Sequence, residues 1–101
     1  MSESFDERCY ALLKQIPKGK VTTYKLLAEA LGTKAYRAVG NAMAKNPHLV
    51  TVPCHRVVKS DGGIGGYAEG VERKIELLRD EGVNVTGGKI EPLERYLFTF
   101  S

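Results

Sequence analysis

Apolar positions recur at helical spacing along much of the chain. Phe5, Cys9, Leu12, Leu13 and Ile16 fall on one face of a first helix. Ser4, with Glu7 three residues on, makes a capping box for its start, and Pro17 and Gly19 end it. Lys20-Val21-Thr22 reads as a short extended piece. Thr22 or Thr23 caps a second helix whose inner face carries Leu27, Ala28 and Leu31, and Gly32 closes it. A third helix runs from about Lys34 to Lys45 and stops before Asn46-Pro47. Two helices joined by a short glycine-bearing turn form the pattern of a helix-turn-helix. Ala35, Ala38, Gly40, Ala42 and Ala44 make the third helix small-sided. It can therefore approach either a DNA groove or a neighbouring helix closely.

Leu49-Val50-Thr51-Val52 reads as a strand ended by Pro53, and Arg56 to Lys59 as the strand that follows. Ser60-Asp61-Gly62-Gly63 is a turn, and with Gly65 and Gly66 it makes a mobile loop, a wing or a lid. The loop lacks the lysine-serine/threonine ending of a phosphate loop, which argues against nucleotide binding. Val71, Ile75 and Leu78 mark the inner face of a fourth helix, with Leu77 beside them. Asp80 and Glu81 stand in its last turn, where the helix dipole disfavours acids. Either they are solvated beside Arg79, or one of them has a task that outweighs the local rule. Beyond them lie a Gly87-Gly88 turn and a final apolar stretch, Tyr96-Leu97-Phe98, expected to pack back on the core.

A chain of 101 residues, 43% hydrophobic and 27% charged, is expected to form one domain with a modest core over residues 1–101. Residues 1–15 carry acids and no apolar run, so no secretory signal is read there, and no stretch has the length of a membrane span. No membrane association is expected. Two cysteines give neither a disulfide framework nor zinc-ligand spacing, so no metal is expected. The net charge of +3 permits nucleic-acid binding without requiring it.

The chemistry concentrates in Pro53-Cys54-His55-Arg56-Val57. A thiolate is the attacking form of cysteine, and His55, Arg56 and Lys59 offer a positive field that favours it. In a regular strand Cys54 and His55 would point to opposite faces, so a working pair needs a turn here or a water between the groups. The alternative is a buried structural cysteine beside a surface histidine. The neighbours tip the balance. Tyr36-Arg37-Ala38-Val39-Gly40 and Asn46-Pro47 lie upstream; Gly65-Gly66-Tyr67, Lys74 and Asp80-Glu81-Gly82 lie downstream. From about Phe5 to Gly82 the chain resembles the C-terminal domain of the O6-alkylguanine-DNA alkyltransferases, the methylated-DNA–protein-cysteine methyltransferases.

That resemblance implies a small α+β domain with a winged helix-turn-helix and short strands around the PCHRV turn. It implies direct repair of double-stranded DNA: an O6-alkylguanine is flipped out from the minor-groove side and its alkyl group moves to the protein's own cysteine, once and with no cofactor. Cys54 would be the nucleophile, His55 a base acting through a water, Glu81 the group that orients His55, and Asn46 the brace of the active turn. Arg37 would fill the space left by the flipped base, on a helix that meets DNA through Ala38 and Gly40. Tyr24 would help rotate the nucleotide and donate toward the base. Tyr67 and the backbone of Ala68 would cover the base, and carbonyls near Cys54 and Val57 would read its amino group. A monomer is expected, cytoplasmic and nucleoid-associated in a prokaryote and nuclear otherwise.

Two positions depart from the family pattern. Ala68 stands where many members carry serine, and Glu69 where many carry glycine. The N-terminal domain of longer members is not found in these 101 residues. In that respect the chain also resembles the alkyltransferase-like proteins, which bind alkylated guanine without repairing it and have another residue in place of the cysteine. Cys54 favours the enzyme over this alternative, and over a plain winged-helix regulator.

Overall fold

The computed structural model describes residues 4–45 and 52–100 of the chain. Helix α1 spans Phe5–Leu13. The Ser4 hydroxyl accepts a hydrogen bond from the Glu7 amide at 3.1 Å, a cap worth about 1 kcal/mol. The helix is shorter than the periodicity suggests. Gln15 and Ile16 donate to carbonyls three residues back, and this tightened turn still delivers Ile16 to the core.

Strand β1, Thr22–Thr23, runs directly into helix α2, Tyr24–Ala30. Of the two candidate caps Thr23 is used: its hydroxyl accepts from the Leu26 amide at 3.1 Å. Leu27, Ala28 and Leu31 are buried as expected, and Gly32 follows at φ 72°. Helix α3, Tyr36–Ala44, starts two residues later than expected, because Thr33 turns the chain by accepting from the Ala35 amide. Val39, Ala42 and Met43 face the core. The Tyr10 hydroxyl donates to the Ala42 carbonyl at 2.9 Å and ties α1 to α3.

Pro53 leads into a single 3-10 turn, Cys54–Arg56, and then into strand β2, Val57–Val58. The strand expected from Arg56 thus begins one residue later, since the Arg56 amide is still turned back onto the Pro53 carbonyl. Strand β2 lies parallel to β1, with Thr22 opposite Val57 and Thr23 opposite Val58. The expected strand at Leu49–Thr51 and the Asn46-Pro47 stop lie outside the described residues.

Helix α4 spans Val71–Asp80, and its inner face departs from the expected one. Lys74 and Leu78 are buried, Ile75 is half-buried and Val71 is 47% exposed. The stripe that meets the core is the i, i+4 pair Lys74 and Leu78, and Val71 overhangs the core at the helix start. Strands β3, Val85–Thr86, and β4, Lys89–Ile90, form a hairpin about the expected Gly87-Gly88 turn. Helix α5, Leu93–Tyr96, follows. The tail does pack back: the Phe98 amide donates to the Val21 carbonyl, and Phe98 and Phe100 lie against the core.

The small α+β domain holds two apolar clusters. One joins α1, α2 and α3 to the active turn and contains Cys9, Leu27, Val39, Cys54 and Val57. The other joins β2, α4 and the hairpin, with Val21 just before β1, through Val58, Leu78 and Ile90. Side-chain alternation in β2 sends Val57 into the first cluster and Val58 into the second. The active turn therefore sits at the seam between the two.

Candidate active site

Cys54 opens the 3-10 turn and is 3% exposed. In such a turn successive side chains diverge by about a third of a circle instead of half, which removes the obstacle that a regular strand would raise for Cys54 and His55. Cys54 lines a cavity of about 340 Å³. Tyr24 comes to it from the start of α2, and Gly40, Met43 and Ala44 from α3. Gly66, Tyr67 and Ala68 of the loop before α4 complete the wall. The lining is mostly apolar with a few polar atoms, as small-molecule sites generally are. Gly65, at φ 76°, carries the loop so close to Tyr24 that a Cβ there would stand 3.1 Å from the phenol oxygen.

Behind Cys54 lies a carboxylate shared by two bases. His55 Nε2 is 3.0 Å from Glu81 Oε2. Arg56 grips the same group with both arms of its fork, Nε to Oε1 at 2.9 Å and one terminal nitrogen to Oε2 at 2.6 Å. Its other terminal nitrogen donates to the Ile16 carbonyl at 2.7 Å. Glu81 caps α4 against the dipole rule, and these partners supply the compensation. Burial alone would push the Glu81 carboxyl up, but the hydrogen bonds and charges of Arg56 and His55 overcome it and hold the group below the usual range. His55 is fully buried, and that burial lowers its pKa despite the Glu81 contact. The pair thus stands as a neutral imidazole beside an ionised carboxylate that Arg56 has already neutralised. His55 Nδ1 is buried with no hydrogen-bond partner among the described residues.

In front of the turn stands Lys74, 0% exposed. Its ammonium donates to the Val57 carbonyl at 2.6 Å and to the Gly66 carbonyl at 3.0 Å, and lies 5.8 Å from the centre of the Tyr24 ring. Burial pushes its pKa down to about 8, and negative charge on the Cys54 sulfur would work in the opposite direction. Burial raises the Tyr24 phenol and pushes that of Tyr67 up to about 12, so both are protonated hydroxyls at neutral pH.

The structure brings Tyr24, Gly40, Tyr67 and Ala68 to one cavity with Cys54, and His55 to Glu81. Arg37 is exposed on α3 and Ala38 is half-buried; neither lines the cavity. Val57 is buried in β2, where its carbonyl accepts from Lys74. Asn46 lies outside the described residues. Sequence reasoning overlooked four participants. Met43 read as an ordinary helix residue, Ala44 only as one of the small residues of the third helix, and Arg56 only as part of a diffuse positive field. Lys74 falls on an apolar stripe, where a lysine suggests a solvent-facing position; its i, i+4 spacing to Leu78 was the available signal.

Comparison with known proteins places this geometry. The sequence model of the 6-O-methylguanine DNA methyltransferase DNA-binding domain matches residues 4–83. The chain is 58% identical over 80 residues to the methylated-DNA–protein-cysteine methyltransferase of Pyrobaculum aerophilum, covering 79% of this chain and 53% of that one. It is 48% identical over 90 residues to the bifunctional methyltransferase/endonuclease of Picrophilus torridus, covering 88% of this chain and 30% of that one. The chain thus spans about half or less of the length of these curated relatives. Among solved structures, O6-methylguanine-DNA methyltransferase from Pyrococcus kodakaraensis matches with a TM-score of 0.75 at 50% identity, over 80% of this chain and 47% of that one. Atl1 of S. pombe, solved with damaged DNA containing O6-carboxymethylguanine, matches with a TM-score of 0.83 at 32% identity, over 99% of this chain and 100% of that one. With four-fifths of its residues under the family's domain model, the chain belongs to the O6-methylguanine-DNA methyltransferase family.

Proposed function

We propose that the chain repairs O6-alkylguanine in duplex DNA by moving the alkyl group to Cys54. Helices α2 and α3 bind DNA as a helix-turn-helix, the loop 59–70 serves as its wing, and Arg37, exposed on α3, enters the stack as the damaged base leaves it. The base enters the cavity between Tyr24 and the Gly66–Ala68 wall. The Cys54 sulfur attacks the alkyl carbon; a C–S bond forms, the bond from carbon to O6 breaks, and guanine leaves with the electron pair as an anion that accepts a hydrogen bond from the Tyr24 hydroxyl and takes up the proton the thiol has lost. His55 receives the thiol proton at Nδ1 through one water, and Glu81 holds the imidazole by its other nitrogen. Tyr67 and the Ala68 backbone cover the base. The Val57 carbonyl keeps one lone pair for the guanine amino group, the other being taken by Lys74. The role of bracing the turn falls, by the family resemblance alone, to Asn46, which lies outside the described residues.

The observation that carries this reading is a cysteine on a base-sized cavity, followed in sequence by a buried histidine locked to a carboxylate. The product is a thioether with no easy reverse reaction. Cys9 is buried on α1, and a thiol does not displace an alkyl group from a thioether, so each molecule acts once. The test is titration with a duplex carrying O6-methylguanine. One repaired guanine per protein and one methyl group on the Cys54 peptide are expected; many turnovers without added thiol would point to a hydrolytic enzyme on the same cysteine.

A second reading is a lesion-binding protein that flags damage without repairing it. The likeness to S. pombe Atl1 over almost the whole of both chains favours it. Tight binding of the lesion duplex with no mass change at Cys54 would select it.

A further inference from the structure

Residues 84–101 lie beyond the stretch matched by the family's domain model, and the reaction above gives them no task. The described part of this segment is bonded to two distant elements. At one end the β3–β4 hairpin takes part of the wing as a third strand. The Ile90 amide donates to the Gly62 carbonyl at 2.9 Å, the Ile64 amide donates to the Gly88 carbonyl at 3.3 Å, and Gly63 pairs with Lys89 in antiparallel fashion. Ile64 is buried in one cluster with Val85 and Ile90. At the other end the Val21 amide donates to the Tyr96 carbonyl at 2.8 Å, and the Phe98 amide to the Val21 carbonyl at 2.6 Å. Val21 directly precedes β1, and β1 runs straight into α2. One segment, 84–98, thus holds both the wing and the root of α2.

Between the wing and the two helices lies a groove. Tyr24 and Lys25 line it from α2, Tyr36 from α3, and Lys59 and Ser60 from the wing. No acid lines it among the described residues. Asp61, the acid of the wing, lines a separate hollow with Ile90, Glu91 and Glu94, and its carboxylate accepts from the Gly63 amide at 2.8 Å. The wing's cation and its acid therefore serve different surfaces.

From this connectivity we infer that the segment 84–98 is a positioning element for duplex DNA: it clips the wing so that Lys59 stands across the groove from Lys25, and a phosphate backbone seats between the two ammonium groups. The inference rests on the function proposed above. The wing contains Gly62, Gly63, Gly65 and Gly66, and ordering so glycine-rich a backbone costs conformational entropy. A hairpin that orders it beforehand removes that cost from the binding step. Gly62 is where the clip closes. Its φ is 90°, and a Cβ there would stand 3.0 Å from the Ile90 carbonyl oxygen.

The first test measures binding of an O6-methylguanine duplex by fluorescence anisotropy, in a Cys54→Ser background and over a range of salt. Gly62→Ala forces the wing off the hairpin. It should weaken binding about threefold to tenfold and lower the salt slope by about one ion, because Lys59 leaves its phosphate. Lys59→Gln should do the same by removing the charge. The two changes together should cost little more than either alone, since they act through one contact. Losses that multiply, or unchanged binding in Gly62→Ala, would overturn the inference. If the Cys54→Ser protein does not bind the lesion duplex, the proposed function fails instead.

The second test strengthens the clip. Gly63 and Lys89 form a pair without hydrogen bonds between them, a geometry with Cα atoms about 4.5 Å apart and within disulfide range. The variant carrying Gly63→Cys and Lys89→Cys, in the same background, should bind the lesion duplex as tightly when oxidised as when reduced. Binding lost on oxidation and regained on reduction would show that the wing must leave the hairpin to meet DNA, and would overturn the inference.

Discussion

The chain contains two buried cysteines, and their surroundings differ more than their exposure does. Cys9 is 0% exposed on α1 and Cys54 is 3% exposed in the active turn; neither forms a disulfide. Around Cys9 the helix offers apolar neighbours and Asp6. Burial first, then that carboxylate, push its thiol up to about 11, so almost none is thiolate at neutral pH. Around Cys54 the chain offers a cavity, an imidazole held by Glu81, and an ammonium that feels the sulfur's charge. Burial alone thus leaves a cysteine inert. What makes one a candidate nucleophile is an open face together with charge arranged behind it.

The widest expected separation between the two comes from replacing each by serine. Cys54→Ser should abolish alkyl transfer while leaving lesion-duplex binding intact, because the hydroxyl is nearly isosteric but a far weaker nucleophile. Cys9→Ser should keep the transfer rate and lower stability by roughly 1–3 kcal/mol, since it buries a hydroxyl among apolar side chains. Mass measurement after incubation and thermal melting read the two effects. Transfer surviving in the Cys54 variant and lost in the Cys9 variant would reverse the comparison.

Next in size is the group behind Cys54. Removing a general base slows a reaction by about 10²–10⁴-fold. His55→Ala should fall in that range, and the double change with Glu81→Gln should add little to it, because the two act as one unit. Rate losses that multiply in the double variant would reduce Glu81 to a partner of Arg56 alone. Arg37→Ala lies outside this unit and should impair base flipping more than overall DNA affinity. A fluorescent base beside the lesion reads flipping, and the salt dependence of binding reads phosphate contacts; a salt slope reduced by about one ion with flipping intact would make Arg37 a phosphate contact only.

The smallest effects are on stability against pH. His55 has a folded pKa below its unfolded value, so the unfolded chain binds the proton first, and stability should fall as pH drops through about 6.5. Glu81 is also lowered, so its contribution is present above its ordinary value of 4.5 and is lost as pH falls further. Melting temperature should therefore decline in two stages between pH 7 and pH 3. His55→Gln should remove the upper stage, and a profile unchanged by that substitution would contradict a buried neutral imidazole.

Much of this was legible in the sequence where local rules act alone. The Ser4 and Thr23 caps, the buried faces of α1 and α2, and the turn at Gly87-Gly88 follow from spacing and cap chemistry. The acid at the end of α4 was legible as an anomaly, and its partners His55 and Arg56 explain it. What escaped needed tertiary contact. No periodicity distinguishes a lysine on the solvent from one inserted between two carbonyls, so Val71 was placed inward and Lys74 was not. A turn at Cys54 was legible as a need of the thiol-imidazole pair, but its 3-10 form was not, because the elements packed on it, α1 and α4, lie far away in sequence.

The guanidinium of Arg56 bears on how the domain assembles. It joins the Ile16 carbonyl, 40 residues upstream, to the Glu81 carboxylate, 25 residues downstream. Contacts that close such long loops form late, after local helices have appeared. The site's electrostatic centre is therefore expected to form late in folding and to be released early in unfolding. Arg56→Lys, which loses the fork, should speed unfolding and leave the folding rate almost unchanged. On this account the end of α1 and the cap of α4, which touch no substrate, govern how long the reactive turn stays assembled.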